Sequence, residues 1–202
     1  MAGSRAAASL AGLGLLLAAL LSGCSAAARG TEGAAAGPVS PSAAAESFRS
    51  VRTYRSVALP VRVRIPAARV DTALERVGRA ADGTMELPRR AEAAAWYEEG
   101  PRPGQPGPAV IIGHVNWAKA PAVFFRLSSL RPGDEVHVDR ADGTTATFRV
   151  TGSTRVAKSR FPTDSVYAPS LEPSLRLVTC GGSFDYAKNS YRDNVIVFAT
   201  PT

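Results

Sequence analysis

Cysteine is scarce in this chain of 202 residues, which contains only two. A framework of several disulfides, as in small secreted domains, is therefore excluded. Acidic residues are outnumbered, with 17 Asp and Glu against 24 Lys and Arg, but the basic residues are scattered and form no run. This excess suits an anionic surface such as membrane lipid or wall polymer, and it does not indicate nucleic-acid binding. The chain is 45% hydrophobic and 20% charged, which is typical of a globular domain.

The N-terminus has the layout of a signal peptide. Arg5 precedes an apolar run from Leu10 to Leu21, which is too short to span a bilayer comfortably. The run ends in Leu21-Ser22-Gly23-Cys24, which resembles the bacterial lipobox and predicts a signal peptide over residues 1–23 with lipidation of Cys24. The alternative is an uncleaved anchor helix. On either interpretation the protein leaves the cytoplasm and stays tethered to the membrane.

The rest of the chain divides into a tether and one folded domain. Residues 24–57 are rich in Ala, Gly, Ser and Pro, a composition that buries too little apolar surface to offset ordering entropy. Residues 58–202 carry short apolar or alternating runs punctuated by Pro and Gly, which predicts a mainly β domain, a barrel or sandwich.

Individual strands can be predicted from their patterns. The alternation in Val61-Arg62-Val63-Arg64-Ile65 places Val61, Val63 and Ile65 on one face. Val136-His137-Val138 and Thr147-Phe148-Arg149-Val150 flank Asp142-Gly143, the clearest hairpin signal in the chain. One helical interruption is predicted to begin at Pro121 and end at Pro132-Gly133.

Three polar residues lie at the ends of the most apolar strands. With Cys24 assigned to the lipid, Cys180 is an unpaired thiol outside the cytoplasm, and it follows the strand Leu175 to Thr179. His114 follows the apolar run Ala109 to Gly113, and Arg192 precedes the run Asn194 to Ala199. Side chains at such positions are exposed at the rim of a buried scaffold.

These residue types suit acyl transfer. A deprotonated thiol is a strong nucleophile, and an imidazole that titrates near neutrality can take and return protons. A guanidinium stays charged and can stabilise the oxyanion of a tetrahedral intermediate. Gly181-Gly182, directly after Cys180, would allow close approach of a substrate backbone.

The motifs around these residues resemble those of the sortases. Gly113-His114-Val115-Asn116, Leu177-Val178-Thr179-Cys180 and Tyr191-Arg192-Asp193-Asn194 have the family's order and spacing, and the likeness, which covers about residues 58–202, is greatest to the actinobacterial class F group. The resemblance implies a closed β barrel of about eight strands with one or two short helices. One departure is the lipobox, since sortases usually keep an uncleaved anchor helix.

The resemblance also implies roles for single residues. His114 would be the catalytic histidine, Cys180 the nucleophile and Arg192 the essential arginine, with Thr179 and Gly181 at the oxyanion and substrate-positioning site. The implied reaction cleaves a C-terminal sorting motif in secreted proteins and transfers the acyl group to an amine on a wall precursor or a pilin lysine. It would take place on the outer face of the cytoplasmic membrane of a Gram-positive-type bacterium. No cofactor or metal is implied.

Other interpretations of the same residues remain open at this point. Water could resolve the thioester, which would make the protein a hydrolytic cysteine peptidase, or the barrel could be a non-catalytic lipoprotein module that binds peptides. Papain-like wall peptidases are disfavoured because His114 precedes Cys180 here. A cysteine at a strand end is often a small buried hydrophobe, and Arg192 could be a structural partner of Asp185 or Asp193.

The lipobox generates a first prediction. Cys24→Ala should abolish incorporation of a labelled lipid, because the thiol of Cys24 is the proposed site of acylation. The measurement is metabolic lipid labelling of the full chain. Labelling that is unchanged in the variant would rule out the lipobox interpretation.

Overall fold

The computed structural model describes residues 56–202. The predicted signal peptide, Cys24 and nearly all of the tether lie outside these residues. Within them, no helix is long and apolar enough to cross a membrane. The strands are β1 (Pro60–Ile65), β2 (Val70–Val77), β3 (Ala94–Tyr97), β4 (Gly107–Gly113), β5 (Asn116–Trp117), β6 (Ala120–Pro121), β7 (Glu135–Arg140), β8 (Thr145–Ala157), β9 (Pro173–Asp185) and β10 (Ser190–Pro201).

Eight of these strands form a closed barrel in the order β1-β2-β3-β4-β9-β10-β8-β7, and β5 and β6 make a small separate hairpin. The pairings β2 with β3 and β4 with β9 are parallel, and the other pairings of the barrel are antiparallel. Helical structure among residues 56–202 is limited to one α-helix, α1 (Thr163–Tyr167), and three 3₁₀ turns, Pro66–Ala68, Leu127–Ser129 and Lys158–Arg160. The predicted eight-stranded barrel with few short helices is confirmed.

Burial on both faces explains the apolar run of β4. Ala109 and Ile111 belong to the cluster that fills the barrel, whereas Val110 and Ile112 pack outside it. The outer cluster includes Val166 of α1, so this short helix covers the outer face of β4. A strand covered on both sides needs continuous apolar residues in place of an alternating pattern.

The predicted hairpin is confirmed as β7 and β8. The chain turns over residues 140–143, where the amide of Gly143 donates to the carbonyl of Arg140 at 3.0 Å. Gly143 has φ 80°, a conformation that glycine adopts without steric cost. The carboxylate of Asp142 accepts hydrogen bonds from the backbone and hydroxyl of Thr144, which completes the turn.

Cys180 and Arg192 were expected at strand ends but lie within β9 and β10, whose pairing continues past both residues. Two further local predictions were wrong. Val63 and Ile65 are buried, but Val61 is 43% exposed, because the pairing of β1 with β7 shifts register between Pro60 and Arg62. No α-helix begins at Pro121, which lies in β6. The segment after it forms turns and the 3₁₀ turn Leu127–Ser129, and its buried residues recur every three positions, at Phe124, Leu127 and Leu130.

An ion pair closes the seam between the first and last strands of the barrel order. The guanidinium of Arg64 on β1 donates to both carboxylate oxygens of Asp139 on β7, at 2.9 and 2.8 Å. The hydroxyl of Thr145 also donates to Asp139, at 2.8 Å. The hydrogen bonds from Arg64 lower the pKa of Asp139 from 3.8 to about 2.

This seam makes stability depend on pH. Because the pKa of Asp139 is lower in the folded chain, its contribution is fully present above pH 4 and is lost as pH falls through about 2. Asp139→Asn should cost about 1 kcal/mol at pH 7 and clearly less at pH 2, measured by urea unfolding. Asp71→Asn is the matched control, since Asp71 also pairs with a β1 arginine, Arg62, but is 54% exposed. If Asp139→Asn lowers the free energy of unfolding equally at pH 7 and pH 2, the assignment is contradicted.

Candidate active site

The parallel pairing of β4 and β9 brings His114 and Cys180 to one end of the barrel. Ile112 lies opposite Val178, and the hydroxyl of Thr179 donates to the carbonyl of Gly113 at 2.7 Å. His114 directly follows the last residue of β4, and Cys180 directly follows Thr179 within β9, so both residues lie at this end of the barrel. Thr179 is the one buried polar residue among residues 56–202, and the hydrogen bond to Gly113 satisfies its hydroxyl.

Cys180 is a free, partly exposed thiol at the edge of a groove. Along β9, Leu175, Leu177 and Thr179 are buried, and Cys180 alternates with them. The groove has a volume of about 490 Å³ and combines apolar with hydrogen-bonding side chains. Its wall includes Asn116, Phe124, Phe125, Ser128, Arg155, Thr179, Gly181 and Tyr191.

The structure explains why glycine occupies both positions after Cys180. A Cβ on Gly181 would lie 2.8 Å from the side chain of Val195, and one on Gly182 would lie 2.2 Å from a carboxylate oxygen of Asp193. Gly182 also has φ 75° and lies where the pairing with β10 shifts register, so β9 carries an extra residue there. The glycines therefore allow β10 to approach β9, besides leaving the Cys180 groove open.

His114 is held by contacts to two other segments. Its Nε2 lies 2.8 Å from the carbonyl oxygen of Pro88, and its ring packs edge-on against Trp117 with centroids 4.8 Å apart. A carbonyl oxygen only accepts hydrogen bonds, so Nε2 carries the proton and Nδ1 is the basic nitrogen of the neutral ring. His114 itself does not line the Cys180 groove, but the next two residues, Val115 and Asn116, do.

Arg192 lies at the same end but faces a second groove. Its side chain is 65% exposed and lies 3.4 Å from a carboxylate oxygen of Asp185, the structural partner considered from the sequence. The second groove has a volume of about 560 Å³ and shares Tyr191 with the Cys180 groove. Within residues 56–202, no hydrogen bond joins His114, Cys180 and Arg192 to one another.

Three further residues of the Cys180 groove had been given no role from the sequence. Arg155 of β8 lines the groove and lies 3.8 Å from Asp193. The hydroxyl of Tyr191 donates to Oδ1 of Asn116 at 2.8 Å, which connects β10 to the small β5–β6 hairpin. Asn116 and Tyr191 were visible as motif letters, but Arg155 reaches the groove only through the pairing of β8 with β10.

Comparison with known proteins identifies the family. The sortase domain matches residues 63–202. A search of curated proteins found no match. Among solved structures, sortase C-1 from Actinomyces oris is 25% identical, with a TM-score of 0.54 over 71% of this chain and 74% of that one.

Two other sortase structures share the fold. The SrtA sortase from Actinomyces oris is 22% identical, with a TM-score of 0.55 over 71% of this chain and 79% of that one. Sortase A from Corynebacterium diphtheriae is 20% identical, with a TM-score of 0.54 over 72% of this chain and 61% of that one. Since the sortase domain matches more than half of this chain, the chain belongs to the sortase family of cysteine transpeptidases.

Proposed function

We propose that the protein cleaves a C-terminal sorting motif in secreted proteins and transfers the acyl group to an amine, with Cys180 as the nucleophile. One observation carries the proposal. Cys180 is a free, partly exposed thiol in a peptide-sized groove, on the strand that pairs in parallel with the strand leading to His114. A nucleophile and a titratable imidazole at one barrel end are the parts that acyl transfer requires.

The first step forms a thioester. The thiolate sulfur of Cys180 attacks the carbonyl carbon of the scissile peptide, the C–S bond forms, and the C–N bond breaks. His114, in its protonated form, gives a proton to the departing amine. Since Nε2 is bound to Pro88, Nδ1 is the nitrogen from which this proton leaves.

Arg192 and two backbone positions would stabilise the oxyanion. The Arg192 guanidinium is 65% exposed and lies 3.4 Å from a carboxylate oxygen of Asp185, so it can leave this partner for a substrate oxygen at little cost. The backbone at Thr179 and Gly181 flanks the thiol on β9, and Arg155 supplies a second guanidinium in the groove. The hydroxyl of Thr179 serves the Gly113 link, so its part is positioning.

The substrates follow from this chemistry and from the family. A motif of the Leu-Pro-x-Thr-Gly kind would lie in the Cys180 groove, where the exposed ring of Phe125 offers an apolar contact. The acceptor would be an amine of a wall precursor or a pilin lysine. The motifs around Cys180 support placement in class F, and residues 58–202 would act outside the cytoplasm on the tether 24–57, anchored through Cys24 after removal of residues 1–23.

The nucleophile is tested by trapping the thioester. Protein incubated with a panel of sorting peptides should gain the mass of the acyl group on Cys180, and Cys180→Ala should gain none. Intact-mass and peptide-mass spectrometry make the measurement. Cys24→Ala is the matched control, because it removes the other cysteine and should still be acylated. Acylation that persists in Cys180→Ala would disprove the assignment.

Product analysis then separates transfer from hydrolysis. With an added amine, the released acyl group should appear as an amide, and without it as the free acid. Free acid alone, in the presence of the amine, would make the protein a peptidase.

The link between Thr179 and Gly113 has its own test. Thr179→Val keeps the shape but leaves a buried carbonyl without this donor, which should cost about 1–3 kcal/mol of stability. Because Gly113 precedes His114, transfer should also slow by at least about 10-fold through misplacement of the imidazole. Thr179→Ser retains a hydroxyl and should recover most of the rate. Equal rates for the two variants, in steady-state assays with thermal unfolding as control, would show that the hydroxyl has no positioning role.

A further inference from the structure

The groove that contains Arg192 lies between two segments of different origin. Lys158 and Ser159 come from the turn after β8, whereas Lys188, Ser190 and Arg192 come from the β9–β10 hairpin and β10. Its volume of about 560 Å³ is similar to that of the Cys180 groove. The mechanism above uses only Arg192 from this set, so the remaining groups have no assigned role.

The charges of this groove are unbalanced. Both carboxylate oxygens of Asp185 already have partners: Oδ1 accepts from the amides of Ala187 and Lys188, and Oδ2 lies 3.4 Å from Arg192. Asp193 faces Arg155 at 3.8 Å.

The two lysines lack a carboxylate partner. The Nζ atom of Lys158 donates to the hydroxyl of Ser190 at 2.7 Å, and neither Lys158 nor Lys188 forms an ion pair within residues 56–202. The ammonium groups of Lys158 and Lys188 can therefore bind an anion from another molecule, since residues 56–202 place no carboxylate against them.

The groove also adjoins the thiol. Tyr191 lines both this groove and the Cys180 groove, so one side chain forms the boundary between them. Tyr191 is held in place by its hydrogen bond to Asn116 and by Phe184, whose ring lies 5.1 Å away. A molecule seated by Lys158 and Lys188 could therefore extend past Tyr191 towards a thioester on Cys180.

We propose that the Lys158–Lys188 groove is the acceptor subsite, and that it selects an amine whose molecule also carries a carboxylate or phosphate. This inference rests on the proposed function and specifies the second substrate. Cations around the groove repel a simple ammonium ion and lower the pKa of an approaching amine, which favours its reactive neutral form. An anionic group on the same molecule offsets the repulsion by binding the lysines.

The chemical step balances without any further reactant. The neutral amine attacks the thioester carbonyl, the C–N bond forms, and the C–S bond breaks, so that Cys180 leaves as a thiolate. The proton lost by the amine nitrogen passes to His114, which restores the state in which the cycle began.

The test compares acceptors that carry the same kind of amine with and without an anionic group. Triglycine and triglycine amide offer the same amine, and 2-aminoethyl phosphate against ethanolamine repeats the comparison for phosphate. With a sorting peptide as donor, kcat/KM for the anionic member of at least one pair should be about 5- to 10-fold higher. The pair with the larger ratio of anionic to neutral kcat/KM shows whether the groove prefers a carboxylate or a phosphate.

Variants locate the effect. Lys158→Gln combined with Lys188→Gln should bring the preferred ratio to about 1. Lys119→Gln removes the same charge at an exposed lysine that lines neither groove, and it should leave the ratio unchanged. Equal use of the charged and neutral acceptors by the unaltered protein would overturn the proposal, as would an equal fall of the ratio in Lys119→Gln.

A binding measurement separates this proposal from the proposed function. In Cys180→Ala, which cannot react, the anionic acceptors should shift the NMR signals of Lys158, Lys188 and Ser190, and the neutral acceptors should not. If Cys180 is acylated but these signals do not respond, the subsite is wrong and the transpeptidase assignment stands. If they respond but Cys180 is never acylated, the anion site stands and the transpeptidase assignment falls.

Discussion

The parallel pairing of β4 with β9 is the constraint on which the candidate site depends. Parallel neighbours run in the same direction, so the residues that follow Gly113 and Thr179 lie at the same end of the barrel although they are 66 positions apart. An antiparallel pair would have sent His114 and Cys180 to opposite ends of the barrel. The buried hydrogen bond between Thr179 and Gly113 joins the end of β4 to β9 just beyond their last paired residues, Ile112 and Val178.

The second constraint is the close approach of β10 to β9 beyond Cys180. Gly181 and Gly182 leave room for Val195 and Asp193, and the extra residue in β9 changes which side chains face each other. As a result Arg192 lines a groove next to that of Cys180, with Tyr191 between them. In the proposed mechanism this division suits a reaction with two successive substrates, since the acyl donor and the amine need separate places beside one thiol.

Sequence patterns predicted the parts of the fold that local physics controls. The Asp142-Gly143 turn and the apolar run that forms β4 could be identified because turn chemistry and apolar runs depend on neighbouring residues. Val61 was misplaced because a shift in the β1–β7 pairing, which depends on distant residues, turns it outward. The helix expected after Pro121 was absent for a similar reason, since packing of Phe124, Leu127 and Leu130 selects a three-residue spacing.

For the site, the sequence by itself determined the chemical groups: a thiol, an imidazole and a guanidinium, with glycines after the thiol. Only the tertiary structure decided their arrangement. It places Nε2 of His114 next to the carbonyl oxygen of Pro88, pairs Arg192 with Asp185, and brings Arg155 into the Cys180 groove. These outcomes depend on strand register and on contacts between segments far apart in the chain, which short motifs do not encode.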